Sequence, residues 1–186
     1  MVRVRIPATS ANLGAGFDSL GLAVNLYNYV DMEESDGVFI SSTDGTWVPT
    51  TKENLIYQSA QRLYDECGKK LCGLRIIQQN NIPMTRGLGS SSACIVGGLA
   101  AANQMLGTPL GLDDMVGLAS DIEGHPDNTT PALLGGIVTA VLEEGKVFWV
   151  KQEVHSALRL IAVIPDFKLS TEMARQVLPE KVSHMD

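Results

Sequence analysis

Arg86–Ala93 reads RGLGSSSA, and the reading of the rest of the chain turns on these eight residues. Two glycines and three consecutive serines stand directly before CIVGGLAAANQML, an apolar run with the character of a helix. A helix start exposes backbone N–H groups without intrahelical partners and carries the positive end of the helix dipole. Glycines ahead of it let the backbone approach a phosphate closely, and small hydroxyls add donors or a metal ligand. Arg86 puts a positive charge beside them. The lysine of a Walker A loop is missing. Taken alone, the stretch fits a phosphate site and a flexible turn with a serine cap equally well.

The flanking sequence supplies a frame of short strands and helices. VRVRI, Val2–Ile6, alternates apolar and basic residues and predicts an edge strand. LAVNLYNYVDM and GVFISS predict further strands, separated by the acidic turn EESDG. ENLIYQSAQRLYDECG places Ile56, Ala60, Leu63, Tyr64 and Cys67 on one helical face, with Gly68 as its stop. GLRIIQQN predicts a strand leading into the glycine-serine stretch, and the helix behind that stretch runs from about Ser92 to Leu106, ending at Gly107. LDDMVGLASDIEG is a further helix that stops at Gly124, and GGIVTAVLEEGKVFWV has the form of a hairpin with an EEGK turn. ALRLIAVIP predicts a buried strand, and Ser170 is placed to cap a last helix through Leu178. Strands and helices mix without strict alternation, which predicts an α+β fold rather than a doubly wound sheet.

Composition narrows the function classes. The 186 residues suit one good core; 45% are apolar and 19% charged, as in an ordinary soluble globular protein. A net charge of −7 argues against a nucleic-acid surface, which needs a basic face. No signal-peptide pattern and no long apolar run appears, so a cytoplasmic protein without a membrane segment is expected. Cys67, Cys72 and Cys94 form no CxxC pair, and with three scattered histidines they offer no metal-ligand spacing. They are expected to be reduced thiols acting as small apolar residues, Cys94 included.

Two further segments are unusually polar. PATSANLGAGFDSLG, Pro7–Gly21, reads as a segment between two strands that sets Thr9, Ser10, Asn12 and Asp18 among small residues and glycines. A long turn in which Asn12 and Asp18 bond the backbone would also fit. In IEGHPDNTTPALLGG, His125, Asp127 and Asn128 follow directly on the helix that carries Glu123. A lone histidine is usually solvated or part of a core, but here it belongs to a compact polar cluster.

PATSANLGAGFDSLG, PMTRGLGSSSA and EGHPDNTTPALLGG, in this order and at these distances, resemble the GHMP small-molecule kinases, and within them the homoserine kinase branch. The resemblance runs from Val2 through STEMARQVLP. It implies transfer of the γ-phosphoryl of ATP to the side-chain hydroxyl of L-homoserine, a step toward threonine. It implies a nucleotide-phosphate loop of Pro83, Met84, Thr85, Arg86, Gly87, Leu88, Gly89, Ser90, Ser91, Ser92 and Ala93. Ser90 and Glu123 would hold Mg²⁺, while Asn12, Asp18, His125, Asp127 and Asn128 would line the amino-acid site. Thr171 and Arg175 of STEMAR would sit near the acceptor, with Asp18 and Arg175 as the catalytic pair. The implied fold is an α+β amino-terminal domain, a mixed sheet packed against helices with a left-handed βαβ unit. Association as a homodimer is implied too. Family members run longer, with a second domain, so residues 1–165 are expected to be the ATP-binding amino-terminal domain and 166–186 the start of a truncated carboxy-terminal one.

The chemistry of the residues agrees with these implied roles. Phosphoryl transfer is chiefly positioning and charge stabilisation, which helix-end amides, Mg²⁺ and a cation supply. A hard Mg²⁺ keeps waters, so one hydroxyl and one carboxylate suffice as protein ligands. Arg175 suits a carboxylate or the transferred phosphate, and Asp18 is read as orienting the acceptor hydroxyl rather than taking its proton. A GHMP kinase for mevalonate-like or sugar substrates, and a nucleotide-binding module without turnover, are the competing readings.

Overall fold

The computed structural model describes residues 1–157, 159–164 and 179. Its sheet is built around one long strand. β1 (Val2–Leu13) and β2 (Gly16–Glu34) form an antiparallel hairpin closed at Gly14–Ala15. Among the described residues β1 pairs with β2 alone, so it is an edge, as its alternation predicts. Along its other edge β2 meets β4 (Leu74–Gln79) through Tyr29–Glu34 and β5 (Ile137–Glu143) through Leu20–Leu22, both antiparallel. β3 (Phe39–Ser42) lies parallel to β4, and β6 (Lys146–Gln152) closes the row beside β5 through the Glu144–Gly145 turn. The order is β3-β4-β2-β5-β6, with β1 on the far edge of β2.

Helix α1 (Leu55–Glu66) is the crossover between the parallel strands β3 and β4. The Asn54 side chain accepts the Ile56 N–H at its start, and Gly68, at φ 62°, carries the chain past its end. Its inner face buries Ile56, Ala60, Leu63 and Tyr64. α2 (Ser90–Met105) is the central helix and packs on β1, β2, α1, α3 and α4. That position explains its sequence, apolar on all sides rather than along one stripe. Gly97 and Gly98 set its two approaches. A Cβ on Gly97 would lie 3.0 Å from Ile6 Cδ1 of the sheet, and one on Gly98 would lie 2.4 Å from the Ile56 carbonyl oxygen of α1. The core is continuous from Ile6, Val30, Met32 and Ile76 of the sheet through Ile95 and Leu99 of α2 to Leu63 of α1.

α3 (Leu112–Glu123) ends at Gly124, as its sequence predicts. The chain then turns at once into α4 (Pro126–Leu134), where the sequence reads as loop. Thr129, Thr130 and Pro131 mask this helix, because β-branched residues and an internal proline are poor helix formers. The start signals are Pro126 at the first helical position and Asp127 in the first turn. α4 is held by tertiary contact: it packs on β1, β2, α3 and β5. A Cβ on Gly21 of β2 would stand 1.8 Å from the Asp127 carbonyl oxygen, so glycine there lets the first turn of α4 rest on the strand.

Other expectations need correcting. Pro7–Gly21 is the two arms of the β1–β2 hairpin with its tight turn, not a loop between strands. Its register shifts between Pro7 and Ala8 and between Ala11 and Leu13, and Asn12 and Asp18 take left-handed backbone. Such bulges hide a strand from a search for strict alternation. α2 begins at Ser90, two residues before the expected Ser92. ALRLIAVIP does not give a buried strand over 159–164, which carry no regular element; Ile161 and Val163 are each 89% exposed. A strand needs a neighbour for its backbone and a covered face for its side chains, and among the described residues β6 pairs with β5 alone. The helix expected over Ser170–Leu178 lies outside the described residues.

Candidate active site

The glycine-serine stretch forms the turn into α2. Thr85, Gly87 and Gly89 all have positive φ, at 56°, 70° and 64°. Alternating left-handed residues of this kind make the backbone concavities that take anions. Gly89 is the N-cap residue, and no side chain hydrogen-bonds there, which leaves the first amides of α2 to the pocket in front of them. That pocket has a volume of about 470 Å³. Met84 through Ser92 form one wall, Ala11 and Asn12 of the hairpin a second, and Glu123, His125 and Asn128 a third.

Glu123 is the last residue of α3, and its carboxylate meets the serine run across α2. The Ser92 hydroxyl donates to Oε1 at 3.0 Å and the Ser91 hydroxyl to Oε2 at 3.2 Å. Ser90, the expected metal partner, lines the same pocket one residue earlier. These are hard oxygen donors and suit Mg²⁺, whose remaining positions are normally filled by water and substrate phosphates. Among the described residues no three His, Cys, Asp or Glu side chains are arranged to hold a metal by themselves. Cys94 also faces the pocket, and burial, with the Glu123 charge adding to it, pushes its thiol up to about 11. At neutral pH it is a thiol, which suits packing rather than attack.

The opposite wall comes from the start of α4. Nδ1 of His125 lies 2.6 Å from Oδ1 of Asp127, whose side chain is wholly buried beneath it. The hydrogen bond to Asp127 raises the His125 pKa, burial opposes this, and the charges of Asp127, Glu123 and Asp18 raise it further. Asp127 is not on the pocket surface, and its Oδ2 is buried with no hydrogen-bond partner among the described residues. Asn128 reaches the pocket and accepts the Thr9 hydroxyl on Oδ1 at 2.9 Å. Asn12 and Asp18 face each other across the hairpin turn, where the Asp18 amide donates to Asn12 Oδ1 at 2.9 Å.

The fold thus draws three separate polar segments to one cavity. Thr171 and Arg175 lie outside the described residues. Thr9 went unassigned from sequence, where it is one small hydroxyl among several. Its signal is tertiary: it is fully buried, its amide donates to the Leu88 carbonyl at 3.1 Å, and its hydroxyl reaches Asn128.

Residues 54–136 match the family described as "GHMP kinases N terminal domain". A homoserine kinase from Caldicellulosiruptor bescii is 48% identical over 188 residues, covering 100% of this chain and 61% of its own length. The chain is thus similar to the GHMP kinases over residues 54–136 and to homoserine kinases over its full length. Another relative, the homoserine kinase of Clostridium beijerinckii, is 45% identical, with 100% of this chain and 62% of the relative covered. The crystal structure of homoserine kinase from Cytophaga hutchinsonii superposes with a TM-score of 0.80 at 29% identity, over 99% of this chain and 62% of that one. The chain therefore spans about three fifths of the length of the curated relatives it matches. The mixed sheet and four helices of the described residues have the amino-terminal fold of that family.

Proposed function

We propose that this chain is the amino-terminal part of a homoserine kinase, which transfers the γ-phosphoryl of ATP to the side-chain hydroxyl of L-homoserine. The observation that carries the reading is the single cavity where the open start of α2, the Glu123 carboxylate and the His125–Asn128 edge of α4 face one another. A phosphoryl transfer needs those three parts: amides for the nucleotide phosphates, a carboxylate for the metal, and polar groups for the acceptor. The identity to homoserine kinases favours this acceptor over mevalonate or a sugar.

In this reading Pro83–Ala93 cradles the nucleotide phosphates. Glu123 and a serine hydroxyl, Ser90 by the family pattern, hold Mg²⁺, which would offset charge on the phosphates. Asn12, Asp18, His125 and Asn128 hold the amino acid, and Asp127 orients His125 from below and favours its charged form. Asp18 orients the acceptor hydroxyl, and Thr171 and Arg175 complete the site from 166–186, the start of the second domain. The work is placed in the cytosol, as a homodimer. No helix among the described residues is long and apolar enough to cross a membrane.

The test is thermal unfolding of the chain with Mg²⁺ and a non-hydrolysable ATP analogue, with and without L-homoserine. Nucleotide at ~100 times its Kd adds about 2.7 kcal/mol, a rise of several degrees for a domain of this size. A further rise with L-homoserine, absent with mevalonate or galactose, is the expected result. A cooperative melt that no nucleotide shifts would refute binding by this chain.

A further inference from the structure

We infer that Thr9 is a positioning residue: its hydroxyl fixes the side-chain amide of Asn128 so that the NH₂ group, one hydrogen of which turns to Asp127, is presented at the pocket. Three observations meet at this residue. Thr9 is fully buried, so its hydroxyl has no water to bond and must donate within the protein. It donates to Asn128 Oδ1 at 2.9 Å, 119 residues away in the chain. Its amide donates to the Leu88 carbonyl at 3.1 Å, and its Oγ1 would stand only 2.0 Å from a Cβ on Gly89. One side chain therefore touches both walls of the cavity, the turn into α2 and the start of α4.

The consequence follows from the two faces of an asparagine amide. The oxygen accepts and the nitrogen donates, and a 180° flip exchanges them at nearly the same shape. The proton of a buried hydroxyl needs an acceptor, and among the described residues the one it meets is Asn128 Oδ1, so Thr9 demands the oxygen. The nitrogen is then directed away from Thr9, toward Asp127 Oδ1 at 3.4 Å and the cavity that Asn128 lines. The cavity gains a donor suited to an oxygen-bearing ligand. With L-homoserine as that ligand, the inference rests on the reading above.

Thr9→Val keeps the shape and the backbone N–H but removes the proton, whereas Thr9→Ser keeps the proton. In a ¹H–¹⁵N spectrum the Asn128 side-chain NH₂ pair should hold its position in Thr9→Ser and move or broaden in Thr9→Val. L-homoserine affinity, measured by calorimetry with the Mg·nucleotide analogue present, should fall about three- to tenfold in Thr9→Val, the span of one neutral hydrogen bond. Nucleotide affinity should stay within about twofold, and Thr9→Ser should restore both readouts. Asn128→Asp still accepts from Thr9 but lacks the donor; it should lose L-homoserine affinity and also melt lower, because the new carboxylate stands beside buried Asp127. Thr9→Ala, which removes the hydroxyl with less bulk, serves if Thr9→Val does not fold. An unmoved Asn128 pair in Thr9→Val, or equal damage from Val and Ser, overturns the inference. A wild-type chain that binds no L-homoserine refutes the substrate reading instead, and the spectrum still decides the role of Thr9.

Discussion

His125 and Asp127 are joined two residues apart by a 2.6 Å contact between Nδ1 and Oδ1, with the aspartate wholly buried and the imidazole at the pocket edge. The pair sits at the start of α4, where His125 is the N-cap residue and Asp127 belongs to the first turn. A carboxylate beside a helix start is favourable, and this one also anchors the ring that faces the cavity.

The pH dependence follows with a definite sign. Asp127 raises the folded-state pKa of His125 above its ordinary value of 6.5, the hydrogen bond being the main cause. The pair's contribution to stability is therefore complete below pH 6.5 and is lost as pH rises through the folded pKa. An NMR titration should find the His125 midpoint above 6.5 in the wild type and lower in Asp127→Asn. The melting temperature should fall more steeply between pH 6 and 8 in the wild type than in His125→Gln. Parallel curves would remove the charged pair from the account.

Glu123→Gln separates metal binding from folding. The amide keeps the size of the side chain and one acceptor for Ser91 or Ser92, so folding should lose only about 1 kcal/mol. Mg²⁺-dependent nucleotide affinity should fall about tenfold or more, the scale of a lost charged ligand. Equal loss of stability and nucleotide binding would sink the metal role.

Two glycines of one turn should respond differently to alanine. Gly87 and Gly89 both have positive φ, so each substitution carries backbone strain of about 1 kcal/mol. Among the described residues nothing lies within 4 Å of a Cβ on Gly87, whereas one on Gly89 meets Thr9 Oγ1 at 2.0 Å. Urea unfolding should place Gly89→Ala about 1–3 kcal/mol below Gly87→Ala, the usual cost of overpacking. Gly21→Ala should behave like Gly89→Ala, since its Cβ would strike the Asp127 carbonyl.

Cysteine reactivity offers a check that needs no ligand. Cys72 is exposed, while Cys94 is held as a thiol by burial and by Glu123, with its pKa pushed up to about 11. Iodoacetamide at pH 8 followed by peptide mass spectrometry should label Cys72 well ahead of Cys94. Glu123→Gln should speed Cys94 only modestly, because burial is the larger cause.

Local chemistry was legible in the sequence because its causes lie within a few residues. Gly68, Gly107 and Gly124 stop three helices by taking the left-handed backbone, and the spacing of Ile56, Ala60, Leu63 and Tyr64 marks a buried helical face. The three polar segments, with their order, pointed to the family. What lay beyond local reading has causes far apart in the chain. α4 is a helix because β2 accepts it at Gly21, not because TTP favours one. Pro7–Leu13 is a strand because β2 supplies hydrogen bonds that its bulges do not advertise. LRLIAVI has the apolar content of a core strand, yet over 159–164 no described strand pairs with it, and pairing is what makes a strand. The meetings of Glu123 with Ser91 and Ser92, and of Thr9 with Asn128, likewise belong to the packing of whole elements. Residue types and spacing set which groups the chain possesses. Only burial against distant neighbours selects which of them face one another and in what orientation.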